Sequence, residues 1–214
     1  MAKLPSLLKH IIPASIVQQK LSVNGCILFT FDDGPDPEVT PRVLDVLDQY
    51  GARGLFFIPG CRIERAPKLL KEIIQRKHGI GNHSLNHISN ATLSFQELIG
   101  EINECKKKIF LLTGNTTEIY RPPMGIIPLS LIVAAKYCKH RIMRWSLDVG
   151  EYGHMKNATA SELAEHFLKN VHDRAIVLSH DDKDTTPKFL ELVLPELIDS
   201  GFDLKRGLSL SMVR

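Results

Sequence analysis

No run of about eighteen apolar residues occurs in the chain, so no segment reads as a membrane-spanning helix. Charge of either sign is weak: 27 Lys and Arg against 24 Asp and Glu leave +3. That excess is small and scattered, which excludes the basic footprint of a nucleic-acid-binding protein. The only dense basic cluster, "CKKKIF" from Cys105, reads as the solvated face of a helix. Four cysteines, Cys26, Cys61, Cys105 and Cys138, stand far apart without a C-x-x-C pair. This excludes a disulfide framework, and free thiols point to a reducing compartment. The first twenty residues lack the unbroken apolar core and small-residue cleavage pattern of a secretory signal, being interrupted by Lys9, His10 and Pro13. A cytoplasmic protein is therefore expected. Peripheral membrane contact through "LPSLLKHIIPASIV" is a further reading, and a helix capping the fold is the plainer one.

What the chain does have is the composition of an ordinary globular domain, 43% hydrophobic and 24% charged over 214 residues. Strand-like and helix-like segments alternate through it. "CILFTF", "GLFFI", "GIGNH", "EIYRPP", "RIMRWSL", "AIVLSH" and "FDLKRG" are strand candidates, seven in all. Between them lie segments with helical periodicity. Two open on capping-box patterns, Ser94 with Glu97 and Thr159 with Glu162. Strands separated by helices imply parallel β/α units. No composition break divides them, so residues 1–24 read as a lead-in and residues 25–214 as a single α/β domain. A closed or partly closed β/α barrel and an open doubly wound sheet both fit. In both, chemistry sits at the carboxyl ends of the strands.

Those ends carry Asp32 and Asp33, His83 and His87, Arg121, Asp148 and Glu151, and His180. Two adjacent carboxylates repel each other, so a chain that places Asp32 beside Asp33 needs a separate counter-charge for each. His83 and His87, four apart, can bring two imidazoles to one side of a turn, near enough to share a metal. A carboxylate from another strand end would complete a two-histidine, one-carboxylate set with positions open to water. Arg121 precedes two prolines that stiffen its loop, so its guanidinium can be held against a carboxylate. His180 follows an apolar strand, where an imidazole can act as acid or base near neutral pH.

The motifs "TFDDGP", "HSLNH", "RPPMG", "WSLDVGEY" and "LSH", in this order, resemble the five motifs of the polysaccharide deacetylases, carbohydrate esterase family four, which share the NodB homology domain. The resemblance runs from about Ile27 to about Leu204 and implies a distorted (β/α) barrel of about seven parallel strands. It implies that Asp33, His83 and His87 hold a divalent metal, zinc in most of the family. It further implies that Asp32 is the catalytic base, Arg121 its partner, His180 the acid and Glu151 the partner of that acid. Pro123, Met124, Tyr152 and Leu178 would line the substrate side. Met124 stands where the family usually has tyrosine, Glu151 where it has aspartate and Tyr152 where it often has tryptophan. The activity implied is removal of N-acetyl groups from an acetylated amino sugar in an oligo- or polysaccharide. O-deacetylation, hydrolysis of another amide, and a catalytically silent carbohydrate-binding domain are the competing readings. No oligomeric state follows from the sequence.

Overall fold

A computed structural model describes residues 16–212 of the chain. The apolar run before the two aspartates forms the strand Leu28–Asp32 (β2), buried along its whole length. Gly54–Ile58 (β3) and Ile176–His180 (β8) lie on either side of it and run parallel to it. With Val17–Gln18 (β1), Gly79–Asn82 (β4), Ile119–Tyr120 (β5), Arg141–Met143 (β6) and Leu147–Asp148 (β7), they make an eight-stranded sheet. Its order is β1-β6-β5-β4-β3-β2-β8-β7, and every pairing is parallel. Such a sheet is covered on both faces, so its strands read as continuous apolar runs and not as an alternation.

Each connection carries a helix where the periodicity predicts one: Val39–Gln49 (α1), Pro67–Gln75 (α2), Phe95–Thr113 (α3), Leu129–Tyr137 (α4), Ala160–Asn170 (α5) and Thr185–Asp199 (α6). Both capping boxes form, and α3 ends on Gly114 in the left-handed conformation, a common helix stop. Phe29 and Phe31 of β2 point outward into a layer shared with Val43, Leu44, Phe167 and Phe189 of the covering helices. Each such buried side chain contributes roughly 1.5–3 kcal/mol. The alternate face, with Leu28, Leu55, Phe57, Ile119, Met143 and Ile176, packs as the interior of a barrel. Thr30 and Asp32 share that face, because strand side chains alternate. Leu98 and Ile102 of α3 pack with Leu131 and Ala134 of α4 in a third cluster around Tyr120 and Ile142.

Three strand expectations change. "RIMRWSL" is one strand candidate in sequence but two strands: β6 pairs with β5 and β1, and β7 pairs with β8. The chain passes between these neighbours through residues 144–146. There Arg144 N–H donates to the Gln18 carbonyl and Ser146 N–H to the Ile176 carbonyl. "FDLKRG" is not a strand, because Asp203 makes a single bridge to Cys26 and its carboxylate then accepts the Lys205 and Arg206 N–H groups. Those bonds start the helix Arg206–Met212 (α7), whose Leu208 joins the interior cluster at the amino-terminal end of the barrel. The short β1, within the segment read as a lead-in, makes the eighth strand, and Lys20 then bridges to Ala175 beside β8. The parallel strands thus curl into a distorted barrel.

All four cysteines are free, and all but Cys61 are buried. Among the described residues no helix is long and apolar enough to cross a membrane. The proposed membrane-contacting segment lies almost wholly outside the described residues.

Candidate active site

β2 and β8 pair in a register that sets Asp32 directly against His180 at the carboxyl mouth of the barrel. Asp32 is buried at 4% exposure, which a carboxylate tolerates only with a partner. Arg121, at the end of β5 and with no exposed surface, donates Nη1–H to Asp32 Oδ1 at 2.8 Å and to Thr30 Oγ1 at 2.6 Å. Its Nε and Nη2 donate to the carbonyls of Met143 and Arg144, and the guanidinium lies 4.0 Å from the centre of the Phe57 ring. Burial lowers the Arg121 pKa while Asp32 works against that shift. The guanidinium is fixed in one orientation and charged, as its site at the rigid Pro122-Pro123 turn suggested.

Asp33 leaves the strand with φ 71, in the left-handed region, and this turns its carboxylate away from Asp32 toward the loop after β4. There one ring nitrogen from each of His83 and His87 and a carboxylate oxygen of Asp33 all lie within 4.8 Å of one another. Asp33 Oδ1 is 3.1 Å from His87 Nε2 and 3.9 Å from His83 Nε2, yet it is buried and accepts no hydrogen bond. His83 Nδ1 sits 2.8 Å from the Arg121 carbonyl, so it carries the proton and leaves the Nε2 lone pair to face inward. Burial lowers the His83 pKa and favours that neutral, ligating form. An unpartnered carboxylate oxygen facing two ring nitrogens fits a divalent cation. Two histidines and one carboxylate leave coordination positions open, as in catalytic sites and not in closed structural ones.

His180 Nδ1 lies 3.1 Å from Glu151 Oε1, and Glu151 is itself buried. Burial opposes the charged imidazole, but the hydrogen bond and charge of Glu151, reinforced by Asp32 and Asp33, outweigh it and raise the His180 pKa to about 9. Glu151 thus reaches the histidine despite being one methylene longer than aspartate. Asp148 takes a different place, because its Oδ1 accepts the Gly150 N–H and shapes the turn that delivers Glu151. Tyr152 is half exposed and packs edge-on against His180, with ring centres 4.5 Å apart. Met124 is exposed with a left-handed backbone at φ 58, whereas Pro123 is buried beside it. Leu178 is buried two residues below His180, in register with Thr30 and Asp148.

Several supporting residues escaped the sequence reading. Glu101 of α3 is buried and accepts the Ser84 hydroxyl, the Asn86 N–H at 2.8 Å and the Asn86 side-chain amide at 2.6 Å. It holds the loop between the two histidines, where Ser84 and His87 both have positive φ. A signal was present: Glu101 is a carboxylate on the apolar stripe of α3, between Leu98 and Cys105. Arg62 donates to the Asp33 carbonyl and to Asp182, which in turn accepts the Tyr152 hydroxyl at 2.9 Å. Asp181 is fully buried, accepts the Thr40 hydroxyl at 2.5 Å, and is pushed by burial to about 7. Its carboxylate occupies the space beside Gly34, where an added Cβ would meet it at 2.1 Å. Nothing local in "DDGP" or "HDD" announces that approach.

A parallel barrel with an Asp-His-His group that could hold a cation, a buried arginine on one carboxylate and a histidine paired with a glutamate opposite fits a metal-dependent hydrolase. The polysaccharide deacetylase family model matches residues 22–143, more than half of the chain. Over 200 residues the chain is 35% identical to the peptidoglycan-N-acetylglucosamine deacetylase of Bacillus cereus, covering 91% of this chain and 92% of that protein. It is 28% identical over 181 residues to the peptidoglycan-N-acetylmuramic acid deacetylase PdaA of Bacillus subtilis, covering 84% and 68%. The structure of that protein, described as a family 4 carbohydrate esterase, superposes with a TM-score of 0.87 at 24% identity, covering 97% of this chain and 90% of that one. A family 4 pseudoenzyme from Bacillus anthracis superposes at 0.82 with 21% identity, covering 89% and 67%, so shared fold does not by itself imply turnover. The chain belongs to the polysaccharide deacetylase family and is a metal-dependent hydrolase of that kind.

Proposed function

We propose that the chain hydrolyses the acetamide of an N-acetylglucosamine unit in a peptidoglycan-type glycan, releasing acetate and leaving a free amine. The substrate class is supported by the named activity of the Bacillus cereus relative, which matches over 91% of this chain and 92% of that protein. The observation that carries the mechanism is the pairing of Asp32 with His180 on adjacent strands, with the Asp33, His83 and His87 set beside them.

In this proposal Asp33, His83 and His87 hold the divalent ion, with Zn2+ the choice that suits two imidazoles and one carboxylate. When bound, it supplies a Lewis acid that activates water and polarises the acetamide carbonyl. Asp32 is the base. Arg121 occupies its Oδ1, and its Oδ2 lies 3.7 Å from His83 Nε2, on the cation side, where it can take the proton of the attacking water. As the C–O bond forms, negative charge develops on the carbonyl oxygen, and the Met124 N–H serves as its backbone donor. His180, held through Nδ1 by Glu151, delivers its Nε2 proton to the leaving nitrogen as the C–N bond breaks. Tyr152, Met124 and Pro123 then form the sugar-facing rim, with Leu178 as its floor.

The test is acetate release from N-acetylglucosamine oligomers and purified peptidoglycan, with acetylated xylan as the comparison. N-acetylated substrates should be turned over and xylan acetate released far more slowly. Preferential release from xylan would reverse the assignment, and release from neither would place the chain with the pseudoenzymes.

A further inference from the structure

Outside the barrel mouth, two more imidazoles face each other. His154, on the loop after β7, and His166, on α5, hold their Nε2 atoms 3.4 Å apart. Their ring centres are 5.2 Å apart and the planes cross at 70°. The nitrogens are thus closer than the rings, so each ring turns its Nε2 toward the other. Two nitrogens bound to one tetrahedral ion, each about 2.0–2.1 Å from it, stand about 3.3–3.4 Å apart. A direct N–H···N hydrogen bond prefers a shorter separation, about 3 Å. The His83–His87 pair of the active site gives an internal yardstick, with ring centres 5.0 Å apart at 58°. The two pairs match closely.

We propose that His154 Nε2 and His166 Nε2 form a second binding site for a zinc-class divalent ion, separate from the active site, with water in the remaining positions. Imidazole donors favour Zn2+, Ni2+ or Cu2+ over Mg2+ and Ca2+. Nearby carboxylates are already engaged: Glu162 accepts the Thr159 N–H at 2.8 Å, and Glu165 is paired with Lys169 at 2.6 Å. With two protein ligands against three, this site binds more weakly than Asp33, His83 and His87.

The local backbone is shaped to seat His154. Gly150 has φ +93, and a Cβ there would lie 2.9 Å from the His154 ring. The Gly150 carbonyl accepts the N–H groups of Gly153 and Met155 at 2.9 and 3.1 Å, folding the loop over itself. An ion shared with His166 ties this loop to α5, and the loop carries Glu151 and Tyr152. Occupancy of the second site therefore restrains the residues that face His180.

Zn2+ titration of the full chain, followed by calorimetry and by equilibrium dialysis, tests this. The wild-type chain should bind two equivalents, the second at least tenfold more weakly than the first. His154→Gln and His166→Gln should each abolish the weaker step and keep the tight one, which also reports that the variants are folded. Asp33→Ala should do the opposite, so the two sites fail independently. A single equivalent in the wild-type chain, or a second equivalent that survives both histidine substitutions, overturns the proposal.

Discussion

Replacing Glu151 with Gln keeps a hydrogen-bond acceptor beside His180 Nδ1 and removes the charge. In the wild-type chain the imidazole is raised from 6.5 to about 9 although burial pulls it down, and Glu151 is the strongest of the groups that raise it. Without that carboxylate, burial acts against Asp32 and Asp33 alone, and the pKa should return to about 6.5 or below. A general acid must be protonated to act, so at pH 8 the active fraction drops from about 0.9 to about 0.03, on the order of 30-fold in kcat/KM. At pH 5.5 both forms are mostly protonated and the two enzymes should differ by less than about twofold. A cation at Asp33 weakens the contribution of that carboxylate in both forms, so the displacement between them is the quantity to read. The assay is kcat/KM for acetate release between pH 5 and pH 10 with metal saturating. The alkaline limb should move down by about 2.5 pH units, from about 9 to about 6.5. A loss that is uniform across pH, or a limb that stays in place, would refute the claim that Glu151 acts by charging His180. Stability follows the same linkage. A pKa raised on folding stabilises fully below about 6.5, and that contribution disappears as pH rises through about 9.

Other substitutions test the supporting shell. Glu101→Ala strips the Ser84 hydroxyl and the Asn86 amides of their acceptor and should weaken active-site metal binding roughly 10- to 100-fold in chelator competition, while unchanged affinity would remove Glu101 from the site. Gly34→Ala drives a methyl group into the Asp181 carboxylate and should cost about 1–3 kcal/mol in urea unfolding; no loss would show that the carboxylate moves aside freely. Arg121→Met leaves Asp32 buried without its counter-charge and should cost about 3–5 kcal/mol by the same measurement, whereas a stable variant would mean the pair is not needed to bury Asp32.

The fold was legible where one local signal sufficed. β2, β3 and β8 are buried on both faces, so each is an unbroken apolar run, and the ends of α3 and α5 are written in their capping boxes. It was illegible where pairing decides. Arg141–Asp148 is one run in sequence but changes neighbours midway, and Val17–Gln18 is too short to carry a period. "FDLKRG" has strand-like Phe202 and Leu204, but Asp203 caps a helix, a choice made by two hydrogen bonds. The site was legible because parallel strands deliver their ends to one mouth, so Asp32, Asp33, His83, His87, Arg121 and His180 could be read as strand ends. Glu101 left a trace as a carboxylate on the apolar stripe of α3, whereas the reach of Arg62 to the Asp33 carbonyl and to Asp182 joins residues far apart in sequence and leaves none.

The division of labour between the two neighbouring aspartates is tested most directly by measuring bound metal and acetate release together in Asp32→Asn and Asp33→Ala. Asp32→Asn should keep the tight metal equivalent and lose about 10²- to 10⁴-fold in turnover, because only the base is removed. Asp33→Ala should lose the tight equivalent and the activity together. Full turnover in Asp32→Asn, or tight metal retained in Asp33→Ala, would contradict the assignment.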